Sequence, residues 1–362
     1  MPSLSDPIRL GAIAAPNRML MAPLTRGRSS REHVPTPLMG EYYRQRATAG
    51  LIISEATGIS QEGLGWPYAP ALWSDEQTEA WKPIVQAVHD AGGRIVAQLW
   101  HMGRMVHSSF LDGQKPVSSS ATTAPAKAHT YFGRQPYDEA RPLEVSEVPR
   151  LLEDYRRATR NALAAGFDGV QVHAANGYLI DEFLRDKTNL RTDAYGGAIE
   201  NRARLLREVT EAVAEIAGAD RTGVRLSPNG ESQGTDDSNP HALFSEAARV
   251  LSGIGIAFLE LREPGPDGTF GKPSVPPVSP SIRENFAGPL VLNSDYDGVT
   301  AQQELDAGRA DAIAFGRTFL ANPDLPERIC TKAPLNKDDS STWYSQGAEG
   351  YIDYPFLRSG GS

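Results

Sequence analysis

One short run, His173-Ala174-Ala175-Asn176-Gly177-Tyr178, brings an imidazole, a carboxamide and a phenol close together in the chain. A second, Gly316-Arg317, sets a guanidinium beside backbone that carries no side chain. Thr25, Gln98 and Arg225 add a hydroxyl, an amide and a second guanidinium, each inside or just after an apolar run. Most of these groups donate hydrogen bonds, and apart from Glu55 and Asp295 few carboxylates accompany them. Several chemistries are thereby excluded. A hydrolytic metal site needs clustered His, Asp and Glu, and no His-Glu-x-x-His occurs, so no metal is expected. Glycoside hydrolysis needs a carboxylate pair, and none stands at these positions. Schiff-base catalysis needs a lysine in the site, and the strand-like runs contain none. Neither G-x-G-x-x-G nor a P-loop is present. What remains is a donor-rich, cationic surface. Arg225 inside an apolar run needs an anionic or electron-rich partner, because an unpaired buried charge is costly. Gly316-Arg317 suits a phosphate, held by backbone N–H groups and a guanidinium fork. A cofactor with one phosphate and a ring edge of hydrogen-bond acceptors meets both demands, and FMN fits. Taken singly, each residue is more often a satisfied core polar group or a surface charge than a cofactor ligand.

Composition narrows the field further. The 362 residues are 40% hydrophobic and 22% charged, the balance of a chain able to bury a large core. Lys plus Arg is 36 against 45 Asp plus Glu, a net charge of −9, so no nucleic-acid partner is expected. The single cysteine, Cys330, excludes an internal disulfide, a Cys-ligated zinc site and an iron–sulfur cluster. It is expected to pack in the last helix. No stretch reaches the ~20 apolar residues of a membrane span, and the N-terminus lacks a basic-then-apolar signal segment. A cytoplasmic location without membrane association is expected. Ser359-Gly360-Gly361-Ser362 reads as an appended linker outside the fold.

The elements that must position these groups alternate. Strands are predicted at Arg18–Ala22, Leu51–Glu55, Arg94–Leu99, Gly169–His173, Gly223–Leu226, Phe258–Leu261, Leu290–Leu292 and Ala312–Phe315. Helices are predicted at Pro37–Ala49, Asp75–Ala91, Pro149–Ala165, Ile199–Ala217, Pro240–Ser252, Ser279–Phe286, Thr300–Ala307 and Asp324–Lys332, with Gly50, Gly92, Gly166, Gly253 and Gly308 at their ends. Strict β-then-α alternation implies an α/β fold with a parallel sheet, and eight units imply a closed (β/α)8 TIM barrel. A barrel needs about 250 residues, so the surplus must lie outside it. Residues 1–17, with Ile8–Leu10 and the turn-prone Ala15-Pro16-Asn17, read as a hairpin capping the barrel bottom. Residues 101–148, after the third strand, read as a long lid insertion over the C-terminal face, with His107 and His129 on its surface. Residues 1–358 then form one domain without an interdomain linker.

Several segments resemble one family. Ala22-Pro23-Leu24-Thr25-Arg26, Gln98-Leu99-Trp100-His101-Met102-Gly103-Arg104, the run His173–Leu205, Ala314-Phe315-Gly316-Arg317 through Leu325, and Gly347-Ala348-Glu349-Gly350-Tyr351 are similar to the old yellow enzyme family of FMN-dependent ene-reductases. Bacterial N-ethylmaleimide and 2-cyclohexenone reductases are of this type. The resemblance covers essentially the whole chain. It implies that Pro23 and Leu24 pack on the flavin and that Thr25 bonds its O4. It implies that Ala56, Gln98 and Arg225 line the N1–O2–N3 side, and that Ser294, Asp295, Gly316 and Arg317 hold the phosphate. His173 and Asn176 would grip a substrate carbonyl oxygen, Tyr178 would donate a proton, and Trp66, Trp100 and Tyr344 would wall the pocket. Without the resemblance, the favoured reading makes His173 a strand cap, Asn176 a helix cap and Tyr178 a core residue. The spacing sets one condition: Tyr178 lies off the helical face shared by His173 and Asn176, so convergence requires a non-helical turn, which Gly177 permits.

The implied activity is ping-pong reduction of activated C=C bonds in enones, enals, nitroalkenes and maleimides. NAD(P)H, with NADPH favoured, would be the reductant, FMN the non-covalent cofactor and phenols inhibitors. A nitrate-ester or nitro-compound reductase on the same scaffold, and a flavin- or phenol-binding protein with negligible turnover, are the alternatives. The chain is expected as a monomer or homodimer.

Overall fold

Val-, Ile- and Leu-rich runs alternate with amphipathic segments along the chain, and the computed structural model shows the runs closing on one another. It describes residues 1–269 and 271–357, so Ser359–Ser362 lie outside the described residues. Among these residues, eight parallel strands pair in chain order into a closed barrel. They are β1 (Met19–Met21), β2 (Ile52–Gly58), β3 (Ile95–Trp100), β4 (Gly169–His173), β5 (Thr222–Leu226), β6 (Phe258–Arg262), β7 (Leu290–Asn293) and β8 (Ala312–Phe315). β8 closes onto β1 with Ile313 opposite Met19. Between them run α1 (Pro37–Gln45), α2 (Asp75–Asp90), α3 (Val148–Ala164), α4 (Arg204–Ala217), α5 (Pro240–Ile254), α6 (Ser279–Asn285) and α7 (Gly298–Asp306), with α8 (Leu325–Thr331) after β8. The (β/α)8 architecture expected from the alternation is therefore observed.

Strand alternation sorts the side chains into two layers. Outward residues such as Ile52, Ile95, Val170, Val224, Leu259 and Ile313 join the core beneath the helices. Inward Leu20, Ile53, Val96, Phe258, Val291 and Ala312 fill the lower barrel. Full burial of an aliphatic or aromatic side chain of this size stabilises by roughly 1.5–3 kcal/mol. Nearer the C-terminal strand ends the inward positions turn polar: Gln98, Gln171, Arg225, Glu260 and Asn293 are all buried. The barrel interior is thus apolar at one end and polar at the other.

The hairpin Ile8–Leu10/Ile13–Ala15 caps the apolar end. Leu10 and Ile13 join the inward cluster, and the Ala12 N–H donates to the Asp220 carbonyl (2.8 Å) just before β5. Its turn is at Gly11-Ala12, so Ala15-Pro16-Asn17 leads into β1 instead. The predicted Ile199–Ala217 helix breaks at Ala203 into a short turn and α4. Gly253 lies inside α5, and the left-handed cap is Gly255 (φ 77°). Cys330 is exposed, because α8 turns Leu325, Pro326 and Arg328 inward instead.

Residues 101–148 carry more structure than a loop. Val117–Ser118 pairs with Arg141–Pro142, and Lys127–Thr130 forms a hairpin with Gly133–Pro136. Arg104 bonds Thr122 Oγ1 (3.0 Å) within the segment and ties it to the loop after β5 by donating to the Gln233 carbonyl (2.8 Å).

Candidate active site

A cavity of about 510 Å³ opens where the polar ends of the strands meet. Its wall contains each residue singled out from the sequence: Pro23, Leu24, Thr25, Ala56, Trp66, Gln98, Trp100, His173, Asn176, Tyr178, Arg225, Ser294, Asp295, Gly316, Arg317 and Tyr344. They come from the ends of seven of the eight strands, all but β6, from the loop after β2 and from the C-terminal segment.

The turn after β4 makes the decisive placement. Asn176 (φ 60°) and Gly177 (φ 77°) are both left-handed, which breaks the helical course the spacing argument ruled out. Asparagine tolerates that region better than most residues, and at Gly177 a Cβ would overlap the Ser232 carbonyl. Ser227 Oγ accepts the Asn176 N–H (2.7 Å), and Asp181 accepts the Gly177 N–H (2.9 Å). Asp181 is itself fully buried against Arg185 (2.8 Å). The result brings three side chains together. The His173 and Tyr178 rings lie 5.1 Å apart and nearly perpendicular, and Trp100 lies 5.0 Å from Tyr178.

The protonation states follow from burial. His173 is held well below the usual imidazole range by burial and by the Arg225 and Arg262 guanidiniums, so it is neutral. Its Nδ1 has no hydrogen-bond partner among the described residues. Burial, then the neighbouring Tyr137 and Tyr344, push the Tyr178 phenol up, so it keeps its proton. Asn176 is oriented by Arg262, whose Nη1 donates to Asn176 Oδ1 (3.1 Å) and leaves the Asn176 NH₂ for another acceptor.

The floor is set by a bulge in β2. The register shifts between Ile53 and Ala56, which brings Ala56 opposite Gln98. Ser54 Oγ accepts the Gln98 N–H (3.0 Å). Glu55, the carboxylate noted beside the site, accepts instead from the Arg26 and Gly27 N–H groups (3.0 and 3.2 Å) and so fixes the loop after β1. Arg225 finds its anionic partner within the chain: Glu260 Oε1 lies 3.5 Å from its Nε, and its Nη2 donates to Asn293 Oδ1 (2.6 Å). At the other end Arg317 bonds Asp295 and the Thr269 hydroxyl, and Thr269 Oγ1 also donates to Asp295 (2.6 Å). The Asp295 carboxylate therefore neutralises the guanidinium proposed for an anion.

These groups fit a phosphorylated ring cofactor. A guanidinium and the turn at Gly316 stand at one end, Gln98 and Arg225 at the floor, and Pro23, Leu24 and Ala56 give apolar walls. The chain from residue 3 to 336 matches the family model of the NADH:flavin oxidoreductase / NADH oxidase family. The chain belongs to the old yellow enzyme family. An old yellow enzyme homologue from Zymomonas mobilis is 65% identical and superposes with a TM-score of 0.97 over 98% of this chain and 100% of that one. Morphinone reductase in complex with tetrahydroNAD is 47% identical, with a TM-score of 0.93 over 99% of each chain. The 12-oxophytodienoate reductase 1 of Oryza sativa subsp. japonica is 42% identical over 98% of this chain and 93% of its own. As a family member the chain is an FMN-dependent oxidoreductase.

The sequence reading of this old yellow enzyme missed several groups. Arg262, Asn293, Thr269 and Trp343 also line the cavity, and Gln171 and Glu260 lie beneath it. Glu260 and Arg262 occupy alternate positions of one strand, so two inward charges in Phe258–Arg262 were the available signal. His129 is not simply on the surface: it packs against Trp66 (4.6 Å) and lies 6.0 Å from Tyr344. Tyr344 and Trp343 are held in place by arginines. Arg26 donates to the carbonyls of Trp343 (3.1 Å) and Gly350 (2.7 Å), and Arg28 to that of Thr342 (2.9 Å). No described helix is long and apolar enough to cross a membrane.

Proposed function

We propose that this protein is an ene-reductase that uses FMN and NAD(P)H to reduce C=C bonds activated by a carbonyl or nitro group. FMN held in this cavity would supply the hydride chemistry, taking it up from NAD(P)H and passing it to the alkene β-carbon. The convergence of His173, Asn176 and Tyr178 on one cavity carries the reading. Relatives named as reductases of morphinone and 12-oxophytodienoate, and the complex with tetrahydroNAD, support it.

The residues divide the work. The neutral His173 imidazole and the Asn176 NH₂ donate to the substrate oxygen, where negative charge grows as hydride reaches the β-carbon. Two preorganised donors stabilise that charge by roughly 3 kcal/mol each. Arg262 keeps Asn176 from turning its own oxygen inward. Tyr178, kept protonated, gives its proton to the α-carbon. Thr25, Gln98, Ala56 and Arg225 would hold the cofactor's ring edge, Pro23 and Leu24 would pack on its face, and Ser294, Asp295, Gly316 and Arg317 would hold its phosphate. Trp66, Trp100 and Tyr344 exclude water and shape the substrate pocket.

Isotope placement tests the reaction. With 2-cyclohexenone and NAD(P)H deuterated at the transferred position, the label is expected on the β-carbon of cyclohexanone and a solvent proton on the α-carbon. Label on a carbinol carbon would show carbonyl reduction instead and remove the proposal.

Arg317→Ala tests the phosphate end. Loss of a charge-assisted contact worth on the order of 1.5–3 kcal/mol should weaken FMN binding about 10- to 100-fold. The released Asp295 carboxylate would add repulsion in the same direction. Unchanged FMN affinity would place the phosphate elsewhere.

A further inference from the structure

Side chains pointing inward from β3, β4 and β6 form a polar chain in which Gln98 reaches the proposed cofactor site, while Gln171 and Glu260 have no role in the reaction itself. Gln98 Nε2 donates to Gln171 Oε1 (2.7 Å), and Gln171 Nε2 donates to Glu260 Oε2 (2.8 Å). All three side chains are buried. The chain has a direction, and Glu260 fixes it. An ionised carboxylate only accepts hydrogen bonds, whereas a carboxamide donates at one end and accepts at the other. Oε2 accepts from the Gln171 NH₂, and Oε1, which has no hydrogen-bond partner among the described residues, lies at ion-pair distance (3.5 Å) from Arg225 Nε. Burial pushes the carboxyl up, and these two neighbours hold it down. Neither neighbour would accept a carboxyl proton. Glu260 therefore draws the Gln171 NH₂, which leaves Gln171 Oε1 to draw the Gln98 NH₂. The Gln98 carbonyl is the end left for the cavity, which Gln98 lines together with Arg225.

We propose that Glu260 is a positioning residue for the flavin, setting the direction of the Gln171–Gln98 amide chain so that the cavity offers an acceptor beside the Arg225 guanidinium. The proposal rests on the reading of this cavity as an FMN site. Such a pair is complementary to an imide edge, in which an N–H is flanked by carbonyl oxygens. The flavin pyrimidine ring carries that edge at N3, O2 and O4.

Glu260→Gln removes the fixed direction, because a third amide lets the chain run either way. Exchanging the groups, Gln171→Glu with Glu260→Gln, restores it: a carboxylate at 171 accepts from Gln98 as before and from the new amide at 260. FMN dissociation constants of the apoproteins, read by flavin fluorescence quenching, decide the matter. Glu260→Gln should weaken FMN about tenfold, the scale of one hydrogen bond to the buried edge. The exchanged variant should recover to within about threefold of wild type, and a flavin methylated at N3 should bind wild type and Glu260→Gln alike. Unchanged FMN affinity in Glu260→Gln, an exchanged variant no better than Glu260→Gln, or equal losses for both flavins would overturn the proposal. If Glu260→Gln does not fold, the exchanged variant decides alone, since it keeps one carboxylate and the same direction: near-wild-type affinity supports the proposal and a tenfold loss or more overturns it. A wild-type apoprotein that does not bind FMN would instead refute the cofactor reading, before any variant is compared.

Discussion

Tyr178→Phe is expected to slow reoxidation of the reduced protein by 2-cyclohexenone about 10²–10⁴-fold, the range of a positioned general acid. The substitution removes one oxygen from a ring wedged between Trp100 and His173, so the packing survives. Reduction by NAD(P)H uses no proton from this phenol and should be nearly unchanged. Nitroalkenes should lose much less, because their reduced carbanion is stable and protonation can follow later. Stopped-flow traces of the two half-reactions separate the cases. Equal slowing of both would mean a disturbed flavin site, and no slowing with the enone would assign the proton to solvent or another group.

The second large effect concerns the substrate oxygen. Replacing His173 and Asn176 together with Ala removes both donors, each worth roughly 3 kcal/mol to an oxyanion. They share one oxygen, so the combined loss should fall short of the sum and still slow enone reduction by about 10³-fold or more. The double variant should also lose the long-wavelength charge-transfer band that a bound phenolate gives above a flavin. His173 is neutral without help from pH, because burial and two guanidiniums hold it far below the imidazole range. Phenol affinity should therefore show no step from His173 titration through the neutral range. A double variant with wild-type phenol affinity and an intact band would place the oxygen site elsewhere.

The barrel was legible because its signal is periodic. Alternation of β and α segments gave eight strands in the right places, and Gly169–His173 and Ala312–Phe315 coincide with β4 and β8. Helix ends were less so. Gly253 looks like a cap, yet α5 runs two residues further to Gly255, since neither glycine alone says which carbonyls are still paired. A non-helical turn, permitted by Gly177, was the condition set for convergence; it is present, and Asn176 joins Gly177 in the left-handed region, which the spacing did not indicate. What the sequence hid was pairing across strands. Glu260 lies 35 residues beyond Arg225 in the chain (260 − 225) but directly beside it in register, and periodicity carries no information about which neighbour a charge will meet. The aromatic mouth was partly legible: the resemblance named Trp66 and Tyr344 as pocket walls, but His129, from a third distant segment, joins them only through tertiary packing.

Pairing also explains why Arg225 alone was weak evidence for a cofactor. Its charge is balanced by Glu260 within the barrel, so a flavin is not needed to keep it buried. The stronger indication is the combination of a donor floor, apolar walls and Arg317 in one cavity.

The central claim is that one cavity both takes hydride from NAD(P)H and passes it to an activated alkene. An anaerobic titration followed by visible absorption tests it most directly. The purified protein, loaded with FMN, should be yellow, bleach on addition of NAD(P)H, and regain its colour on addition of 2-cyclohexenone with one cyclohexanone formed per flavin. A yellow protein that bleaches but stays bleached with the enone, and regains colour only when air is admitted, would contradict it.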